Sequence, residues 1–132
     1  MIVVDKSALA AVLFDEPERA QFNMHIANLE TLLSVATFVE ASIILQARKS
    51  DAGVNELDLL LRQSRTVLVP VDLEQAALAR HAFRVYGKGR HPAALNFGDC
   101  FTYALAKSKG LPVLAKGDDF ARTDVETFDV KG

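Results

Sequence analysis

The order of apolar and polar positions divides this chain into short apolar runs alternating with longer stretches of helical period. Met1-Ile2-Val3-Val4 is an apolar run ending at Asp5, and it reads as a short buried strand that carries an acid at its C-terminal tip. Residues 7–14 have helix-forming composition. A second helix starts in Asp15-Glu16-Pro17-Glu18, with Pro17 near its first turn and acids facing its dipole, and runs to about Asn28. Residues 31–36 are predicted as the second strand. Thr37, with Glu40 three positions on, has capping-box spacing for a largely apolar helix to Lys49. Asp51 is placed to cap another helix through about Gln63, with Val54, Leu57, Leu60 and Leu61 on one face. Residues 66–71 are the third strand. Asp72 caps the next helix, in which Leu73, Ala76, Ala79, Phe83 and Tyr86 keep roughly helical spacing up to Gly87.

Gly87-Lys88-Gly89-Arg90-His91-Pro92-Ala93 is a loop by composition. Residues 97–109 form a helix closed by Gly110, with Phe101, Ala104 and Leu105 on its apolar face and Asp99, Thr102, Tyr103 and Ala106 on another. A fourth strand follows at 111–115, a turn at 117–120 and a short final strand at 125–128. Strands alternate with helices nearly throughout. The predicted fold class is therefore α/β, one domain over residues 1–132, with a mainly parallel central sheet of four to five strands and helices on both faces.

Composition adds limits. The 132 residues are 50% hydrophobic and 24% charged, enough for one core without a metal or disulfide staple. Cys100 is the only cysteine, which fits a reducing compartment, and the cytoplasm is the expected location. The longest apolar run is too short for a membrane span, and Asp5 and Lys6 interrupt the place a signal peptide needs, so a soluble, unprocessed chain is expected. The formal net charge of −2 gives no global attraction to nucleic acid. Any RNA binding must use a local patch, and the loop holding Lys88, Arg90 and His91 is the most concentrated basic stretch.

Acids recur where strands pass into helices: Asp5 after the first strand, Glu40 after the second, Asp118 and Asp119 after the fourth, with Asp99 in the first turn of a helix. Each has a local alternative, as a helix cap or a first-turn acid. If they converge, mutual repulsion calls for a cation, and oxygen-only donors suit Mg²⁺ or Mn²⁺. Such ions assist in-line attack on phosphodiesters. His25 and His81 lack partners at ligand spacing and read as structural or surface residues. Cys100 has no neighbouring histidine arrangement and reads as packing. Phe97, Phe101 and Tyr103 read as core or channel wall.

Across nearly its whole length the chain resembles a PIN-domain ribonuclease of the VapC toxin type. The resemblance rests on Ile2-Val3-Val4-Asp5 with Ser7-Ala8-Leu9, on Ala36-Thr37-Phe38-Val39-Glu40-Ala41, on the block from Tyr86 to Phe101, and on Lys116-Gly117-Asp118-Asp119-Phe120. It implies a Mg²⁺- or Mn²⁺-dependent endoribonuclease acting on an RNA substrate such as tRNA or rRNA. It also implies a cognate antitoxin protein that inhibits the chain, and a homodimer. Asp5, Glu40 and Asp99 are assigned to the metal site. The fourth acid is Asp118 or Asp119, with Asp119 favoured because it adjoins Phe120, although Gly117 stands where the family often has threonine.

A second departure is Lys6, where family members usually have threonine or serine. Together with Ser7 it is expected to modulate the site. A hydroxyl orients a carboxylate, whereas an inward ammonium competes with the metal by about 4 kcal/mol at ~4 Å in an effective dielectric of about 20. Two other functions are open. One is a catalytically weakened domain that only binds an antitoxin. The other is an aspartate-nucleophile phosphotransferase, which usually needs a second Asp where Ser7 stands. The apolar helices at 18–28 and 54–61 are candidates to pack a partner's segment.

Overall fold

The computed structural model describes residues 1–129. β1 (Ile2–Val4), β2 (Glu30–Ser34), β3 (Arg65–Val69) and β4 (Val113–Leu114) form one all-parallel sheet in the order β3-β2-β1-β4. The helices are α1 (Lys6–Leu13), α2 (Arg19–Asn28), α3 (Val35–Gln63), α4 (Leu73–Tyr86) and α5 (Phe97–Lys109). The expected fifth strand at 125–128 is reduced to a single parallel bridge between Val113 and Thr127. The two helices predicted on either side of residue 50 are arms of α3, which breaks at Ser50, where φ is 57° and ψ is −154°.

The sheet is covered on both faces, as its unbroken apolar strands require. Ile2, Val4, Leu33 and Leu114 face a core shared with Leu9, Leu45 and Leu57. Val3 and Val113 point the other way, to Leu95, Tyr103 and Leu105. Alternate residues of β1 therefore feed opposite cores, the period-2 behaviour of a strand. α5 is buried on nearly every side, from Gly98 to Ala106, so the face carrying Asp99, Thr102 and Tyr103 is enclosed as well as the apolar one. The faces of α2 and of the second arm of α3 proposed for a partner are largely used up internally, since Phe22, Ile26 and Leu57 are buried in the first core.

From β1 the chain winds outward through β2 and β3, then returns to lay β4 on the other side of β1. The C-terminal end of β1 is thus the switch point of the sheet, the place where open α/β folds form their crevice. Asp5 follows β1 directly, and its backbone N–H donates to Leu114 O at 3.0 Å.

The C-terminal segment is fastened to α5 by Asp124, which accepts from Tyr103 Oη and Lys107 Nζ, both at 2.7 Å. Burial opposes ionisation of Asp124, but these two donors outweigh it and hold its pKa below the ordinary carboxylate value. A depressed folded-state pKa contributes stability that is present above the unfolded-state value and is lost as pH falls through the folded one. Asp124→Ala is therefore expected to cost about 1 kcal/mol near neutral pH, because the buried Tyr103 hydroxyl loses its acceptor. The cost should shrink in acid. Urea denaturation at neutral pH and below the carboxylate range checks this, and an equal loss at both would refute it.

Candidate active site

Asp5 is 2% exposed, and both its oxygens are engaged. Thr102 Oγ1 donates to Oδ1 at 2.7 Å, while Ser7 Oγ and Ser7 N donate to Oδ2 at 2.8 and 3.1 Å. Ser7 N is the first-turn donor of α1, so Asp5 caps that helix while its other oxygen faces α5. One side chain thus caps α1 and reaches Thr102 of α5. Ser7 Oγ also accepts from Lys116 N at 2.9 Å, tying the loop after β4 to Asp5.

Asp99 is held by a reciprocal cap. Its backbone N–H donates to Asn96 Oδ1 at 2.9 Å, and its Oδ2 accepts from Asn96 N at 3.0 Å. That leaves Oδ1 aimed into the site. Asn96 stands in the sequence block that carries the resemblance, but its role as a cap was not read there, although an asparagine three residues ahead of an acid has capping-box spacing.

Glu40 reaches the site for a different reason than its spacing predicted. The cap of α3 is Ser34, whose Oγ accepts from Ala36 N at 3.3 Å, so the helix begins before Thr37 and Glu40 has no cap to return to. Thr37 instead points its hydroxyl at Thr102, 3.3 Å away. The Glu40 carboxylate lies over Gly98, where a Cβ would fall 2.1 Å from Oε1 and 2.2 Å from Oε2. Gly98 was also missed; a single glycine in the first turn of a helix carries no signal of what packs on it.

Lys6 points inward. Its ammonium donates to Asp99 Oδ1 at 2.9 Å and lies 3.5 Å from Glu40 Oε1. Burial disfavours the charge on Lys6, but the carboxylates of Asp5, Asp99 and Glu40 outweigh it and raise its pKa above the ordinary lysine value. For Glu40, burial and the charges of Asp5 and Asp99 prevail over the attraction of Lys6 and raise its pKa above the usual carboxylate value. Burial, with the charge of Asp99 added, pushes the Cys100 thiol up to about 11, so it is protonated at neutral pH and packs as expected.

The structure brings Glu40 and Asp99 together through Lys6, with Asp5 beside them. Asp118 and Asp119 are exposed on the loop after β4. Among the described residues no three His, Cys, Asp or Glu side chains are grouped as a metal-holding cluster. In the basic loop Lys88 and Arg90 are exposed. His91 is partly committed to the loop itself, since Nδ1 accepts from Ala93 N at 3.0 Å and its ring stands edge-on to Tyr86. Arg90, Arg80 and Arg84 line an apolar cavity of about 500 Å³ with Phe83, Phe97, Cys100 and Phe101. His25 packs against Phe128, and His81 lies beside Arg84 on the surface. No helix among the described residues is long and apolar enough to cross a membrane.

A family model for the PIN domain matches residues 2–126. The chain is 47% identical over 127 residues to a VapC ribonuclease of Mycobacterium bovis, covering 96% of this chain and 97% of that one. It is also 47% identical to a ribonuclease VapC of Mycolicibacterium smegmatis, covering 94% and 97%. The fold is similar to that of VapC20 of Mycobacterium tuberculosis, described as a Sarcin-Ricin loop cleaving toxin, with a TM-score of 0.75, 16% identity and coverage of 97% and 98%. It is similar again to VapBC2 of Rickettsia felis, solved with a DNA fragment from its promoter, with a TM-score of 0.74, 14% identity and coverage of 98% and 100%. The chain therefore belongs to the PIN-domain family, and within it to the VapC type.

Proposed function

We propose that this chain is a metal-dependent endoribonuclease toxin, restrained by a cognate antitoxin protein. The observation that carries the reading is the meeting of Glu40 and Asp99 around one cationic point beside buried Asp5, at the switch point of the sheet. The VapC relatives give the reaction class.

The residues present fit a hard divalent cation. The oxygens that Asp5, Glu40 and Asp99 turn to the site are carboxylate oxygens, Glu40 Oε1 is buried with only the ammonium of Lys6 near it, at 3.5 Å, and Gly98 leaves room for that carboxylate. Held by Asp5, Glu40 and Asp99, Mg²⁺ or Mn²⁺ would supply an activated water and positive charge for the leaving oxygen of a phosphodiester. The rest falls to the chain. Thr102 and Ser7 lock the Asp5 carboxylate, and Asn96 locks that of Asp99, so neither acid has to be oriented when substrate arrives. The loop bearing Asp118 and Asp119 is tethered by Lys116 N to Ser7, and Asp119 is our fourth acid. Lys88 and Arg90 guide the phosphates of a tRNA or ribosomal RNA toward Asp99, with His91 shaping their loop. A homodimer and an antitoxin segment have exposed apolar side chains available to them, including Val39 and Ile43 on α3 and Leu73 and Phe83 on α4.

The inward Lys6 favours one other reading, a weakened enzyme that still binds its antitoxin. Incubating the purified chain with a mixed tRNA and rRNA panel separates the two. Cleavage is expected with Mn²⁺, abolished by EDTA and restored by excess Mn²⁺. Cleavage that persists in EDTA would overturn metal dependence, and a stable antitoxin complex without cleavage under any condition would favour the second reading.

A further inference from the structure

Glu40 and Asp99 meet one positive charge supplied from within the chain, beside buried Asp5. Lys6 is the first residue of α1, so its backbone is held by the Asp5 cap and only its side chain is free to move. That side chain is 19% exposed and bridges Asp99 and Glu40, whose side chains are 11% and 31% exposed. The bridging point is where a cation drawn to both acids would sit. An ammonium and a divalent ion cannot share it, since like charges at contact distance repel strongly in a partly buried site.

We infer that Lys6 is an internal counter-cation of this site, and that a divalent ion binds between Glu40 and Asp99 only by exchange with its ammonium. The inference rests on the metal-dependent reading above and adds the device that controls loading. Space for the exchange exists. A cavity of about 170 Å³ between α1 and α3, lined by Lys6, Phe14, Glu16, Ala41, Ile44 and Arg48, opens beside the lysine; Glu16, already paired with Lys116 Nζ at 2.9 Å, is the acid on its wall that a displaced ammonium would share. The bridge thereby offsets part of the repulsion among the acids of the metal-free site and holds Glu40 and Asp99 together. The same bridge lowers the apparent affinity for the ion by the fraction of molecules in which Lys6 has already left, so a displaced state populated at about 10% means binding about tenfold weaker.

Calorimetric titration of the metal-free, full-length chain with Mn²⁺ tests this, alongside thermal midpoints measured in EDTA and in saturating Mn²⁺. Lys6→Thr and Lys6→Met should bind Mn²⁺ about tenfold or more tightly than wild type. Both should melt lower than wild type in EDTA and gain more on adding Mn²⁺, because without the ammonium the acids repel until an ion arrives. Lys6→Arg, which keeps the charge, should bind as weakly as wild type. Lys6→Met retains the aliphatic stem and carries the test if Lys6→Thr does not fold. If wild type and both neutral variants bind Mn²⁺ with indistinguishable affinity, while Asp99→Asn binds it more weakly, exchange is overturned and the metal site stands. If no variant binds Mn²⁺, the metal-dependent reading falls and the inference with it.

Discussion

Asp99→Asn is expected to lower metal-dependent RNA cleavage by about a hundredfold or more, which corresponds to roughly 3 kcal/mol of lost transition-state stabilisation. The substitution is close to isosteric. An asparagine Oδ1 still accepts from Asn96 N, and the residue's own backbone N–H still donates to Asn96 Oδ1, so the cap of α5 survives. What disappears is the negative charge that faces Lys6 at 2.9 Å and would face a metal. Single-turnover cleavage of a responsive RNA in Mn²⁺, with a thermal melt to show the fold intact, measures the effect. Cleavage within a small factor of wild type would remove Asp99 from the site.

Gly98→Ala is expected to have the second-largest effect, through a neighbour rather than through Gly98 itself. A Cβ there would stand 2.1 to 2.4 Å from Oε1, Oε2 and Cδ of Glu40, closer than any real contact. The Glu40 carboxylate must leave. Because it is the end of a flexible side chain, leaving costs the fold little, and alanine is a better helix former than glycine. The outcome should be a thermal midpoint unchanged or raised, with Mn²⁺ affinity and cleavage reduced by about ten- to a hundredfold, the usual cost of disturbing what orients a ligand. Midpoint and Mn²⁺ titration together decide it. Unchanged affinity would mean that Glu40 has a second productive position.

The two effects differ in how far the sequence announced them. Asp99 stood out as an acid in the first turn of a patterned helix, and the family resemblance placed it in the site. Gly98 did not, because its value lies in an absent side chain opposite a residue of α3. Glu40 was marked by a spacing that turned out not to operate: Thr37 is inside the helix, Ser34 caps it, and Glu40 is free to face α5. Glu40 meets Lys6 and Asp99 for a reason its local pattern did not contain.

Local pattern determined the order of elements, the parallel α/β class, the ends of α4 and α5 at Asp72 and Gly110, and the placing of Asp5 at a strand tip. These follow from apolar period, caps and turn residues, which act between neighbours in sequence. The fifth strand failed because a short apolar run says nothing about whether a partner strand lies alongside it. Tertiary structure alone decided that Lys6 points inward, that Thr102 and Ser7 share the oxygens of Asp5, and that Gly98 makes room for Glu40. Most of these contacts join α1, α3 and α5 across the crevice beyond β1. They depend on how three helices pack on one sheet, and no period along the chain encodes that distance.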